Sequence, residues 1–269
     1  MIPDLLNVSG LHLRSEQPHS EYLVCDISFS LSAGATLGIV GESGSGKSLT
    51  LRALTGYLPR GIKIAAGNIW VKGVQILQNG IANKHERSRQ IGMVFQNPMS
   101  ALNPLMQIGK QLAEIHRVNT GDSRECSKAK AVELIKMVGI PDPERAFYFY
   151  PHQLSGGQRQ RIILAAALAK NPSILLCDEP TTALDTVTQT QIVTLIKSLC
   201  RERNIAVIFV SHDLSVVSQL CDRICVMKDG YLVESGQTGV VLNNPQHAYT
   251  RMLINSQLLL EGDNRWHRY

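Results

Sequence analysis

An α/β fold built on parallel strands and interrupted by a helical segment is what this sequence predicts, and three observations predict it. A short apolar run, Thr36 to Val40, breaks into a glycine loop and then a helical stretch. Two further apolar runs, Ile174–Asp178 and Ile205–Val210, flank a segment of helical length and pattern from Val187 to Arg203. From about Leu102 to Ala169 the chain reads as mostly helix, which breaks the alternation of strand and helix.

In chain order, Ile27–Leu31 reads as a strand. Thr36-Leu37-Gly38-Ile39-Val40 is rich in β-formers, and Leu49 to Leu58 beyond its glycine loop reads as a helix. Ile91–Phe95 is a further strand. Lys128–Val138 and Gln158–Ala169 are the clearer helices of the inserted segment. Ile174–Asp178, the helix Val187–Arg203 and Ile205–Val210 make a strand-helix-strand unit, which implies parallel strands and a right-handed crossover. No internal repeat, low-complexity tract or Pro/Gly/Ser linker is present, so no covalent second domain is expected.

Composition narrows the function classes. The 269 residues are 44% hydrophobic and 18% charged, enough to bury a sizeable core. The longest unbroken apolar stretch, Ile162–Ala169, is far short of the roughly 20 residues that cross a bilayer. The N-terminus carries no basic segment followed by an apolar one, so neither export nor membrane spanning is expected. The net charge of +5 is spread along the chain without basic runs or aromatic interleaving, and nucleic acid is excluded as a partner on that ground. The six cysteines (Cys25, Cys126, Cys177, Cys200, Cys221, Cys225) are scattered, four in or beside apolar segments, as reduced thiols of a cytosolic protein are. Cys221 and Cys225 lack a second pair or a nearby histidine to complete a metal site, so core filling is expected.

Two constellations carry chemistry. Gly41-Glu42-Ser43-Gly44-Ser45-Gly46-Lys47-Ser48 fits G-x4-G-K-[ST] and stands between strand and helix, the context a phosphate loop needs. Glycines there let backbone N–H groups turn toward phosphate, and the helix N-terminus adds a favourable dipole. Lys47 then reaches the β and γ phosphates and Ser48 ligates Mg²⁺. The second constellation is the apolar strand ending in Asp178 and Glu179, which sets two carboxylates at the edge where open α/β sheets bind ligands. Asp178 is expected to hold Mg²⁺, and Glu179 to orient and deprotonate the attacking water.

A phosphate loop alone leaves kinases, GTPases, helicases and transporters open, and Leu154-Ser155-Gly156-Gly157-Gln158 separates them. Physically, a serine and two glycines opening a helix make a second anion site, and Ser155 also suits the cap of a helix from Gln158. The segment, placed before Asp178, resembles the signature of the ABC ATPases. Gln96 then resembles that family's Q-loop, which touches the metal and takes part in hydrolysis. Thr182-Ala183-Leu184-Asp185 resembles its D-loop, with Asp185 toward nucleotide, and His212 its switch histidine. The resemblance spans Leu5 to about Ile254 and implies an antiparallel β subdomain and an α-helical subdomain at about 97–170, within a cassette of 1–255 followed by a tail of 256–269. It also implies an adenine-stacking aromatic upstream of the phosphate loop, where Leu11–Tyr22 offers His12, His19 and Tyr22; Tyr22 suits by chemistry.

The family's mechanism implies two cassettes facing head to tail, with ATP between one phosphate loop and the other's signature. Ser155, Gly156, Gly157 and Gln158 would then contact the partner's ATP. Phe95-Gln96-Asn97-Pro98, Tyr150-Pro151-His152-Gln153, Asp178 to Asp185 and Asn244-Pro245-Gln246-His247-Ala248-Tyr249-Thr250 resemble the peptide and nickel importers. That resemblance implies a different homologous ATPase as partner in a heterodimer, two transmembrane permeases and a periplasmic or extracellular solute-binding protein, at the cytoplasmic face of a bacterial membrane. Some members carry a cysteine cluster after this last motif; none is expected here, since Cys225 is the last cysteine. By the same resemblance, the short tail and the missing cysteine cluster suggest nickel or a nickel–metallophore as cargo, with di- or oligopeptides as the alternative and a soluble ABC ATPase behind both.

Overall fold

A computed structural model of the chain describes residues 4–17, 20–78, 81–82, 90–95, 101–182 and 184–261. The chain divides into two compact units, one of Met1–Arg87 with Ala206–Tyr269 and the other of Ser88–Ile205.

The first unit begins with β1 (Leu6–Ser15), β2 (Tyr22–Leu31), β3 (Thr36–Val40), α1 (Lys47–Thr55), β4 (Ile62–Val71), β5 (Val74–Gln78) and β6 (Ile81–Ala82). β2-β1-β4-β5-β6 form an antiparallel sheet, with Leu6 opposite Leu31 on one side of β1 and Val71 on the other. Leu6, Val8, Leu11 and Leu13 of β1 are buried, and the register shifts between Val8 and Leu11 restore the inward face after Gly10. α1 ends at Gly56, whose left-handed φ of 79° lets its N–H reach Arg52 and Ala53 carbonyls.

The chain then builds the second unit. It contains β7 (Ile91–Val94), α2 (Ile108–Thr120), α3 (Arg124–Met137), α4 (Pro143–Ala146), a 3-10 turn at Pro151–Gln153, α5 (Gly156–Leu168), β8 (Ile174–Asp178) and α6 (Thr186–Glu202). β7 and β8 pair in parallel, Ile91 with Ile174 through Val94 with Cys177. The helices bury Ile108 and Leu112 of α2, Leu134 and Ile135 of α3 and Ile162, Ile163 and Leu164 of α5. Ser123 caps α3 by accepting the Cys126 N–H at 3.2 Å.

One close approach in this unit sets a stability prediction. A Cβ on Gly109, in the first turn of α2, would lie 2.1 Å from Cδ2 of Phe147, a side chain only 4% exposed. Gly109→Ala gains at most about 1 kcal/mol of helix propensity, less in a first turn, whereas overpacking a filled core costs about 1 to 3 kcal/mol. We expect a net loss of about 1 to 2 kcal/mol, read as a lower midpoint of urea unfolding.

Returning to the first unit, the chain forms β9 (Ala206–Val210), α7 (Leu214–Leu220), β10 (Arg223–Lys228), β11 (Tyr231–Gln237), α8 (Thr238–Asn243) and α9 (Ala248–Glu261). β10, β3 and β9 pair in parallel and β11 closes on β10 antiparallel. All of β9 is buried, as are Leu37, Ile39 and Val40 of β3, which is why both read as nearly continuous apolar runs. Cys25, Cys177, Cys200, Cys221 and Cys225 are buried and Cys126 is exposed; all are free thiols. Burial pushes the Cys200 and Cys225 thiols up to about 12.

Several bounds differ from expectation. α1 starts at Lys47 rather than Leu49, since Gly46 in a left-handed conformation opens the helix directly. β2 starts at Tyr22 rather than Ile27. The compact unit Ser88–Ile205 encloses the helical segment expected at about 97–170 and also holds β7, β8 and α6. α9 is a continuous helix across residue 255, with Leu253 and Ile254 buried, so the tail expected from 256 begins inside a helix. No helix among the described residues is long and apolar enough to cross a membrane.

Candidate nucleotide site

The phosphate loop lies in the first unit, between the end of β3 and α1. Gly41 has a φ of +147°, and a Cβ there would stand 2.1 Å from the Met227 carbonyl at the end of β10, so no side chain fits. Gly46, at a φ of +96°, is backed less tightly by β2, with Leu23 O at 3.1 Å and Val24 Cγ2 at 3.0 Å from an added Cβ. From behind, the β10–β11 turn donates the Gly230 N–H to Ser45 O at 3.2 Å. Thr50 donates its hydroxyl to Gly46 O at 3.0 Å, tying the loop to the helix it opens. Lys47 is 4% exposed. Its ammonium donates to Gly41 O at 2.8 Å, Glu42 O at 2.6 Å and Ser45 Oγ at 3.3 Å, so a cation is set inside the ring of the loop. Glu42, Ser43 and Gly44 are exposed, and Ser48 is half-buried in the first turn of α1. α1 has no side-chain cap at its N-terminus, and the positive end of its dipole there favours an anion.

His212 belongs to the same unit, exposed just after β9. The Ser211 N–H donates to Ile39 O at 3.3 Å, which fixes the chain leaving β9 to the strand that feeds the phosphate loop. Asp213 caps α7 through the Ser215 and Val216 N–H groups at 2.8 and 3.3 Å. Tyr22 opens β2 one residue before the Leu23 carbonyl that backs Gly46, and it is 49% exposed with its ring edge-on to His12 at 5.2 Å. A half-open aromatic beside the phosphate loop has the chemistry for stacking a base. His19 lies outside the described residues.

The second unit carries the other predicted residues. Ser155 caps α5 by accepting the Gln158 N–H at 3.2 Å, and Gln158 Oε1 accepts the Ser155 N–H at 3.0 Å, a closed capping box. The helix therefore starts at Gly156 and not at Gln158 as the sequence suggested. A Cβ on Gly157 would stand 2.6 Å from Thr188 Cγ2, so α5 and the first turn of α6 meet there on a glycine. Asp185 caps α6, accepting from Thr188 N at 2.9 Å and Thr188 Oγ1 at 2.7 Å. Those bonds hold its carboxyl below the usual aspartate range. At the end of β8, Asp178 is 1% exposed and Glu179 is half-buried. Glu179 has a φ of +46°, rare for a side-chain-bearing residue, and it accepts the Thr182 hydroxyl on Oε2 at 2.9 Å. Gln96 and Ala183 lie outside the described residues. No cluster of three or more His, Cys, Asp or Glu placed to hold a metal occurs among those described.

Sequence reasoning missed Met227, Gly230 and Tyr249, which build the loop's surroundings. Tyr249 Oη accepts the Glu42 N–H at 2.9 Å from more than 200 residues away, with no local periodicity to reveal it. The motif around it was legible, but its partner was not.

The sequence profile of the ABC transporter family matches residues 24–182, more than half of the chain. The chain is 42% identical over 261 residues to the oligopeptide transport ATP-binding protein OppD of Haemophilus influenzae, covering 96% of this chain and 80% of that protein. To the dipeptide transport ATP-binding protein DppD of Lactococcus lactis subsp. cremoris it is 42% identical over 255 residues, 94% of this chain and 73% of the other. Among solved structures, the dimeric post-hydrolysis cassette MJ0796 bound to ADP and Pi superposes with a TM-score of 0.74 at 29% identity, over 87% of this chain and 98% of that one. The cbiO1 cassette of Clostridium perfringens, part of the transporter complex cbiONQ, superposes at 0.77 and 25% identity, over 96% and 97% of the two chains. The chain belongs to the ABC transporter family. It is that family's ATP-hydrolysing, transport-coupled enzyme.

Proposed function

We propose that this chain drives the import of di- or oligopeptides, and the single observation that carries the reading is 42% identity to an oligopeptide transport ATPase across 96% of the chain. This replaces the nickel or nickel–metallophore cargo expected from the sequence. That expectation rested on the short tail and the missing cysteine cluster, both analogies to the family and neither a feature that meets a solute. The similar proteins named above include dipeptide and oligopeptide transport ATPases.

In the proposed cycle the phosphate loop from Glu42 to Ser48 binds the ATP phosphates, with backbone N–H groups from Ser43 onward and the Lys47 ammonium, while Tyr22 stacks on adenine. Ser48, Asp178 and Gln96 supply the hard oxygen donors that Mg²⁺ prefers, which suits a buried carboxylate and a first-turn hydroxyl. A Mg²⁺ ion held by those residues would neutralise charge on the transferred phosphoryl. Glu179 takes the proton of the attacking water, and His212 and Gln96 hold the γ-phosphate and the water in line. Ser155, Gly156, Gly157 and Gln158 meet the ATP of a homologous second ATPase, and Asp185 stands at the same interface. Two permeases and a periplasmic or extracellular binding protein complete a transporter at the cytoplasmic face of a bacterial membrane.

Deleting the gene and comparing uptake of a labelled tripeptide with uptake of radioactive nickel tests the cargo. Peptide uptake is expected to fall to background with nickel unchanged. Lost nickel uptake with peptide uptake intact would return the assignment to the metal.

A further inference from the structure

The helix α9 touches two loops of the nucleotide site at once. Tyr249, in its first turn, is 4% exposed and its hydroxyl accepts the Glu42 N–H of the phosphate loop at 2.9 Å. Burial pushes that hydroxyl's pKa up, so it stays protonated and neutral at physiological pH. The Lys228 ammonium lies 5.1 Å from the ring centre. The approach to the helix is fixed as well. Glu234 accepts the Gln246 and His247 N–H groups at 2.8 and 3.0 Å, and His247 Nδ1 accepts the Tyr249 N–H at 3.2 Å.

Further along the same helix, Gln257 accepts the Leu214 N–H on Oε1 at 2.8 Å and donates from Nε2 to the His212 carbonyl. Tyr249 and Gln257 are spaced i, i+8, two turns plus about 80° of rotation, so they flank one broad face of the helix about 12 Å apart along the axis. Leu253 and Ile254 between them are buried and anchor the helix by apolar packing. A helix held by packing alone needs no polar side chain aimed at backbone groups of the two loops. Here both polar contacts do so: one end holds the loop around Lys47 and the other holds the peptide unit of His212.

We propose that Tyr249 and Gln257 are positioning residues of the ATP site, with α9 a strut that fixes the phosphate loop relative to the His212 loop. The Gln257 half rests on the reading that His212 acts in hydrolysis; the Tyr249 half rests only on ATP binding by the phosphate loop. Tyr249→Phe keeps the ring, its packing and the Lys228 contact, and leaves the Glu42 N–H without its acceptor. MgATP binding by the full chain is expected to weaken about five- to tenfold, with the melting temperature nearly unchanged. Gln257→Leu is expected to lower kcat about tenfold at unchanged KM in membranes carrying the assembled transporter. Gln257→Glu keeps the acceptor for Leu214 but sets a carboxylate oxygen against the His212 carbonyl, so it is expected to lose kcat as Gln257→Leu does.

Unchanged MgATP affinity in Tyr249→Phe would overturn the first half. Unchanged kcat in Gln257→Leu, alongside an inactive His212→Ala, would overturn the second. If His212→Ala itself hydrolyses ATP normally, the role of that histidine fails, and the Gln257 half falls with it while the Tyr249 result stands on its own. Losses in binding and kcat that follow the fall in folded protein would show a structural role only.

Discussion

Glu179→Gln is expected to bind ATP as the unmutated chain does and to hydrolyse it about 10² to 10⁴ times more slowly, the range a positioned general base contributes. An amide of the same shape keeps an acceptor oxygen for the Thr182 hydroxyl, which now reaches Glu179 Oε2 at 2.9 Å, so the side chain keeps its place. What it loses is the capacity to take a proton. The backbone of Glu179 is held at a φ of +46° immediately before Pro180, a conformation rare for a residue with a side chain. Equilibrium binding of MgATP and steady-state phosphate release, measured on the same preparation, check the prediction. Hydrolysis at the unmutated rate would remove Glu179 from its role.

Lys47→Ala should act on the other parameter, weakening MgATP binding by about 100-fold, the loss of one or two charge-assisted hydrogen bonds to phosphate at about 1.5 to 3 kcal/mol each. Removing the ammonium also strips a donor from Gly41 O, Glu42 O and Ser45 Oγ, so the loop loses the cation around which it closes. Titration of the full chain with MgATP reads this directly. Binding within about twofold of the unmutated chain would show that the N–H groups alone hold the phosphates.

The parallel strands were the most legible part of the fold. β3 and β8 appear with the bounds their composition indicated, because strands buried on both faces must be apolar at nearly every position and turn polar where they end. The antiparallel sheet was not legible by the same means. β1 carries Asn7, Ser9, His12 and Arg14 between its buried leucines and shifts register near Gly10, so no simple period marks it. Only the resemblance to a family supplied that sheet. The candidate site divides in the same way. Residues 41–48, 155–158 and 178–179 announce themselves because the chemistry is concentrated in short contiguous runs. The walls of the loop come from Met227, Gly230 and Tyr249, far away in sequence, and depend on packing that no local pattern encodes.

Cys126 is the exposed cysteine in a chain whose other five thiols are buried. For Cys200 and Cys225, burial also keeps the reactive thiolate from forming near neutral pH. A maleimide dye added to the folded protein therefore finds one address, in the first turn of α3. The second unit comes with its own reporter position, and any change in the surroundings of Cys126 during ATP turnover is open to single-label fluorescence without altering a residue.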